Sequence, residues 1–137
     1  MSYWLAKSEP ETYSWSDLVR DRRTHWDGVR NPQASANLKA MKTGDRVFIY
    51  HSGEERRIVG VAEVAKEYYP DLSDKTGRFG MVDLKAVEPL KTPVTLAAIK
   101  ADKRFADFIL VRQGRLSVMP VTAEQWKLIA GMGGLKA

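Results

Sequence analysis

The sequence predicts a small α+β domain of about five short strands and several short helices, arranged as a curled or closed sheet with helices at its ends. Three observations lead to it. Short runs rich in Val, Ile, Tyr and Phe alternate with polar turns, the pattern of short strands. Two positions, Ser14 with Asp17 and Thr122 with Gln125, carry the spacing of a capping box that opens a helix. The 137 residues, 44% of them hydrophobic, suffice for one core without staples. No repeat, Ser/Gly linker or low-complexity block divides the chain, so a single domain over residues 1–137 is expected.

The elements follow in order. Tyr3-Trp4-Leu5-Ala6 reads as a buried strand that stops before Pro10, which cannot donate to a ladder. Ser14 caps a short helix to Arg22, and Thr24 to Asn31, which contains Gly28 and shows no period, reads as a loop. Asn31-Pro32 supplies a cap and a proline in the first helical turn, and Ala34, Leu38 and Met41 recur at helical spacing up to Gly44. Arg46 to His51 and Ile58 to Val64 form a predicted hairpin around the polar turn Ser52 to Glu55. Gly80 to Val87 alternates like another strand, Val94 to Lys100 reads as a short helix after Pro93, and Arg115 to Met119 as the last strand. Thr122 then opens a helix, with Trp126, Ile129 and Ala130 on one face, that fades into Gly131-Met132-Gly133-Gly134.

Composition removes several functions. Without cysteine there is no disulfide, no thiol nucleophile and no Cys-ligated zinc or iron–sulfur cluster. No signal-peptide pattern and no apolar run of membrane-spanning length is present, so a cytoplasmic protein with no membrane partner is expected, with a monomer as the expected state. Twenty-two Lys and Arg against 17 Asp and Glu leave a net charge of +5 and a pI near 9.5, which favours an anionic partner without demanding one.

The catalytic inventory is thin. His25 and His51 are the only imidazoles. Ser52 follows His51 on a strand and points to the other face, a poor Ser–His geometry. No nucleophile elbow occurs, and Gly131-Met132-Gly133-Gly134 follows a helix instead of opening one, unlike a phosphate-binding loop. A metal held by His25, Asp27 and His51 would lack any recognised spacing, so neither metal nor cofactor is expected. Trp26-Asp27-Gly28-Val29-Arg30-Asn31 is the strongest signal from the residues themselves. Tryptophan beside a glycine, an arginine and an asparagine suits stacking on a flat ring and reading its edge. Equally, Trp26 could plug the core beneath a loop while Arg30 caps a helix or pairs with Asp27. Lys7-Ser8-Glu9 at a strand end could face a ligand or merely end the strand. Arg22, Arg23, Arg30 and Arg112 are candidate phosphate contacts, against the alternative of a solvated charged face.

Taken together, Trp4-Leu5-Ala6-Lys7-Ser8-Glu9-Pro10, Trp26-Asp27-Gly28-Val29-Arg30-Asn31, Met41-Lys42-Thr43-Gly44-Asp45, Tyr50-His51-Ser52, Ile58-Val59-Gly60-Val61-Ala62-Glu63-Val64, Tyr69-Pro70-Asp71 and Arg115-Leu116-Ser117-Val118-Met119-Pro120-Val121 resemble the EVE domain family, from about Tyr3 to Met132. The resemblance implies a PUA-like fold, a small mixed or closed β-barrel of five to six strands with peripheral helices, related to YTH and ASCH domains. It also implies a bacterial nucleic-acid-binding module, a reader of DNA carrying methylated or hydroxymethylated cytosine. On that resemblance Trp26 would stack on the flipped base, and Lys7, Ser8 and Glu9 would border the pocket. Asp27 and Gly28 would present backbone groups, and Asn31 would hold the loop or contact the base. Tyr50 and His51 would form another wall, and Arg115, Leu116 and Ser117 would close it. A second cage tryptophan, present in YTH domains, has no counterpart, and Tyr68 or Tyr69 is the candidate substitute. The alternatives are a small enzyme acting on a nucleobase or nucleotide, with His51 or His25 as base, or a small-molecule or protein-binding module using the same pocket.

Overall fold

The computed structural model describes residues 1–135. In chain order they form β1 (Tyr3–Ser8), α1 (Trp15–Asp21), β2 (Arg23–Trp26), α2 (Pro32–Ala40), β3 (Arg46–His51), β4 (Arg57–Pro70), β5 (Gly80–Thr95), α3 (Leu96–Ala101), a 3-10 turn at Lys103–Phe105, α4 (Ile109–Arg112), β6 (Val118–Val121) and α5 (Ala123–Met132). The strands make one mixed sheet in the order β2-β5-β4-β3-β1-β6. The sheet is open, not the closed barrel allowed for above. Its edges β2 and β6 are four residues long each and pair only inward, and Pro120 deprives β6 of a donor.

β1 and β3 run parallel, from Tyr3↔Arg46 to Ser8↔His51, so the chain between them must cross over, and it does so through α1, β2 and α2. The other pairs are antiparallel. Both predicted capping boxes form, with Ser14 and Thr122 accepting from the third helical amide and Asp17 and Gln125 reaching back. Asn31 Oδ1 accepts from the Ala34 amide at 2.9 Å, with Pro32 at the first helical position.

Four expectations change. Arg23–Trp26 is a strand, so Thr24 to Trp26 are extended where a loop was expected. β4 and β5 extend well past Val64 and Val87, because register shifts absorb the residues that break alternation, including Pro89 opposite Gly60. The helix expected from Val94 starts at Leu96, since Thr95 Oγ1 caps it by accepting from the Ala98 amide. The last strand begins at Val118, three residues later than Arg115. The core lies between sheet and helices, with Leu5, Leu18, Leu38, Phe48, Ile58 and Leu84 fully buried. Trp4 is buried with its indole N–H on Asp45 Oδ2 at 3.0 Å, and Trp126 stacks on Phe48 at 3.7 Å between ring centres.

A cavity at the open end of strand β1

The ladder between β1 and β6 ends at Ala6↔Val118, while β1 stays paired to β3 through Ser8. Lys7 and Ser8 therefore stand beyond the last β6 pair, at a notch in the sheet. The notch opens into a cavity of about 400 Å³, lined by Lys7, Ser8 and Ser117 on one side and by the chain from Thr24 to Asn31 on the other, with Thr12 and Tyr13 between. That volume suits a small flat ligand. Lys7 ties the notch to the turn before β6: its amide donates to Ser117 O at 2.8 Å and its Nζ to Gly114 O at 2.7 Å. Burial lowers the pKa of its amine. Ser8 Oγ donates to Tyr13 O at 2.6 Å, which fixes the turn whose Thr12 and Tyr13 amides donate to Glu9 O.

β2 carries the opposite wall. Thr24 and Trp26 alternate with Arg23 and His25, so Trp26 turns inward and is only 8% exposed, part of the core as well as of the cavity wall. The Tyr13 ring meets it edge-on, 6.4 Å between centres at 87°. Gly28 follows at φ +77°, a conformation that L side chains adopt only with strain. Its amide donates to Asp71 Oδ2 at 2.9 Å, and Arg30 Nη1 donates to the same oxygen at 3.0 Å while Nη2 reaches Ser73 Oγ. Arg30 thus pairs with Asp71, not with Asp27 as one sequence reading allowed. Burial pushes the Asp71 carboxyl up, but hydrogen bonds from Ser73, Gly28 and Arg30 outweigh it and hold the group well below the usual carboxylate range.

Of the residues expected at a pocket, Lys7, Ser8, Trp26, Asp27, Gly28, Asn31 and Ser117 line this cavity, as does Arg30. Glu9, Tyr50, His51, Arg115 and Leu116 do not. Tyr50 is buried under a smaller hollow of about 160 Å³, which it shares with Lys7, whose Nζ lies 5.5 Å from the ring centre. His51 is committed to the fold at both nitrogens: Nε2 accepts the Trp15 amide at 2.9 Å, so Nδ1 carries the proton that it donates to Glu55 Oε1 at 3.0 Å. Because β6 starts at Val118, residues 115 to 117 form a turn in which Leu116 is buried, Arg115 exposed, and only Ser117 faces the cavity. Arg22 closes α1, Arg112 ends α4, and Arg23 forks onto Asp83 through Nε at 3.1 Å and Nη2 at 2.8 Å. Neither Tyr68 nor Tyr69 lines the cavity. Tyr68 OH lies 3.4 Å from Ser35 Oγ and Tyr69 OH donates to Asp83.

No role at the site is expected from sequence for Asp71, Asp83, Thr12 or Tyr13. The two aspartates lie far along the chain from the loop they hold, and only the pairing of β2 with β5, which sets His25 opposite Asp83, brings the second one there. Burial pushes the Asp83 carboxyl up, yet hydrogen bonds from Tyr69, His25 and Arg23 keep it at about 2. Burial, and then the hydrogen bond to Asp83, push Tyr69 up to about 12. Among the described residues no group of three His, Asp or Glu side chains is placed to hold a metal ion, and no helix is long and apolar enough to cross a membrane.

Comparison with known proteins adds a family and its relatives. The family model of the EVE domain matches residues 2–132. The chain is 34% identical to thymocyte nuclear protein 1 of Gallus gallus, over 95% of this chain and 68% of that protein. It is similar in structure to a Rhodopseudomonas palustris protein, at a TM-score of 0.92 and 54% identity over 98% of this chain and 94% of the other. It is also similar to human THYN1 protein solved in complex with 5-methylcytosine-containing DNA, at a TM-score of 0.92 and 30% identity over the whole of both chains.

Proposed function

The chain belongs to the EVE domain family, and from that premise we propose that it is a binding module that takes a modified cytosine base of DNA, flipped out of the helix or already unpaired, into the cavity beside Trp26. The observation that carries the reading is the cavity itself. A hollow of about 400 Å³ sits at a strand end, lined by Trp26 and Tyr13 together with the polar residues Ser8, Asp27, Asn31 and Ser117. Support comes from the human relative, which was solved with 5-methylcytosine-containing DNA. Extrusion costs a few kcal/mol, which stacking at about 1–3 kcal/mol together with hydrogen bonds and phosphate contacts can offset. Lys7 has no carboxylate partner among the described residues, but its ammonium is turned to Gly114 O and the Tyr50 ring beside the smaller hollow. His51 is withdrawn from ligand chemistry by its two internal bonds, which favours binding over the enzymatic reading based on that residue.

The test is a fluorescence-anisotropy titration with oligonucleotides that differ only in one 5-methylcytosine or cytosine. The wild type is expected to prefer the methylated strand, and Trp26→Ala to lose that preference. Since Trp26 also packs in the core, Thr12→Trp serves beside it: Thr12 is exposed, and a bulky ring there fills the cavity without disturbing the interior. Retained methyl preference in a folded Thr12→Trp protein would place the ligand elsewhere.

A further inference from the structure

Leu72 is 89% exposed, an apolar side chain in a turn, 71–74, whose other residues are polar. Covering it would be favourable, and nothing among the described residues does so. The turn is closed twice and holds the residue where it stands. Asp71 Oδ1 accepts from the Ser73 amide at 2.8 Å, and Asp71 O accepts from the Asp74 amide at 2.9 Å. Both neighbours of Leu72 are also tied to the cavity. Asp71 Oδ2 accepts from the Gly28 amide at 2.9 Å and Ser73 Oγ from Arg30 Nη2 at 3.0 Å, and both Gly28 and Arg30 line the hollow. Leu72 is therefore fixed beside the cavity wall with its side chain projecting into solvent. Charge surrounds it: Arg30 is paired with Asp71, while Lys75 and Arg78 on the same connection are exposed and have no carboxylate partner among the described residues.

A base drawn from a duplex into a pocket leaves a gap in the stack, and apolar side chains are what proteins insert between base steps. We propose that Leu72 enters the duplex where the base taken by the cavity has left, so that the partner is double-stranded DNA and the phosphates beside the gap meet Lys75 and Arg78. The inference rests on the base-binding reading above and deepens it by naming the duplex as the form bound. Insertion gives Leu72 the burial that the fold denies it, and it keeps the gap from filling with water or closing before the base is held. The hydrogen bonds of Asp71 and Ser73 order the wedge in advance, so no loop has to be immobilised when DNA arrives.

The experiment titrates one oligonucleotide carrying a single 5-methylcytosine, alone and annealed to its complement, with unmethylated controls. Only the duplex has a paired stack to refill, so Leu72 should count there and not on the single strand. Leu72→Ser is expected to weaken binding to the methylated duplex about ten-fold and to the single strand by less than about two-fold, with the methyl preference on the single strand unchanged. Leu72→Met, which keeps an apolar side chain of similar reach, is expected to bind the duplex as the wild type does. Because Leu72 is exposed, both variants should fold, and thermal unfolding checks it. Equal loss on both ligands, no loss on the duplex, failure of Leu72→Met to restore it, or a wild type that binds the single strand alone overturns the wedge and leaves base reading intact. Absence of methyl preference on either ligand in the wild type removes the base-reading function, and the wedge with it.

Discussion

A methyl group added at Gly60 would come within 2.6 Å of three ring atoms of Trp15, with no room for the indole to retreat, because Trp15 is 9% exposed and its own amide is bonded to His51. Gly60 is thus required by close approach. Gly60→Ala is expected to cost about 1–3 kcal/mol through displacement of Trp15, read as a lower denaturant midpoint at unchanged slope. An unchanged midpoint would mean that the strand shifts freely past the ring. Trp15 also shows what single residues reveal in sequence. Its place in the first turn of α1 follows from the Ser14 cap, a contact three residues long, and the roles of Ser14, Asn31 and Thr122 were legible for the same reason. The partner that it packs on lies 45 positions away, and no local pattern points to it.

Between elements, the β4–β5 connection holds the cavity loop in place. Asp71 opens that connection, accepts from the Gly28 amide and Arg30 on one side and from Ser73 on the other, and is 3% exposed. Removing a buried carboxylate leaves Arg30 and the Gly28 amide without their partner. Asp71→Ala is therefore expected to lose about 3 kcal/mol of stability, with amide hydrogen exchange accelerated first in residues 27–31 and 71–79. Acceleration spread evenly over the sheet would show that the clamp is not local. The sequence displayed this loop's composition but not what holds it, because Asp71 and Arg30 are 41 residues apart and meet only once β2 has paired with β5. Most of β2, Thr24 to Trp26, falls in the stretch expected as a loop. Four residues of alternation fall below the length at which period 2 separates from chance, and the strand exists because Lys85 to Val82 offers it an edge. The long strands failed the other way, since alternation stops at each bulge while hydrogen bonding continues through Pro70 and Thr95.

At the scale of the molecule, an open six-stranded sheet leaves β2 as an edge, and polar side chains on it stand where a pairing partner would otherwise be needed. Asp83 anchors this edge: Arg23 and His25 reach it from β2 and Tyr69 from β4, so one carboxylate joins three strands. Its ionisation is thereby linked to global stability. The folded-state pKa of about 2 lies below the ordinary 3.8, so the unfolded chain binds the proton more readily than the folded one. The contribution is fully present above pH 3.8 and is lost as pH falls from there through 2. With 5% of the side chain exposed, solvent screens it little, and its size is on the order of 2 kcal/mol. Asp71, displaced in the same direction, adds to the same acid limb. Unfolding free energies of wild type and Asp83→Asn, measured from pH 7 to pH 2, should therefore differ by a constant amount down to about pH 4 and then converge. A difference that stays constant through pH 2 would show that the edge is held by packing of Tyr69 and His25, with the charge of Asp83 contributing nothing.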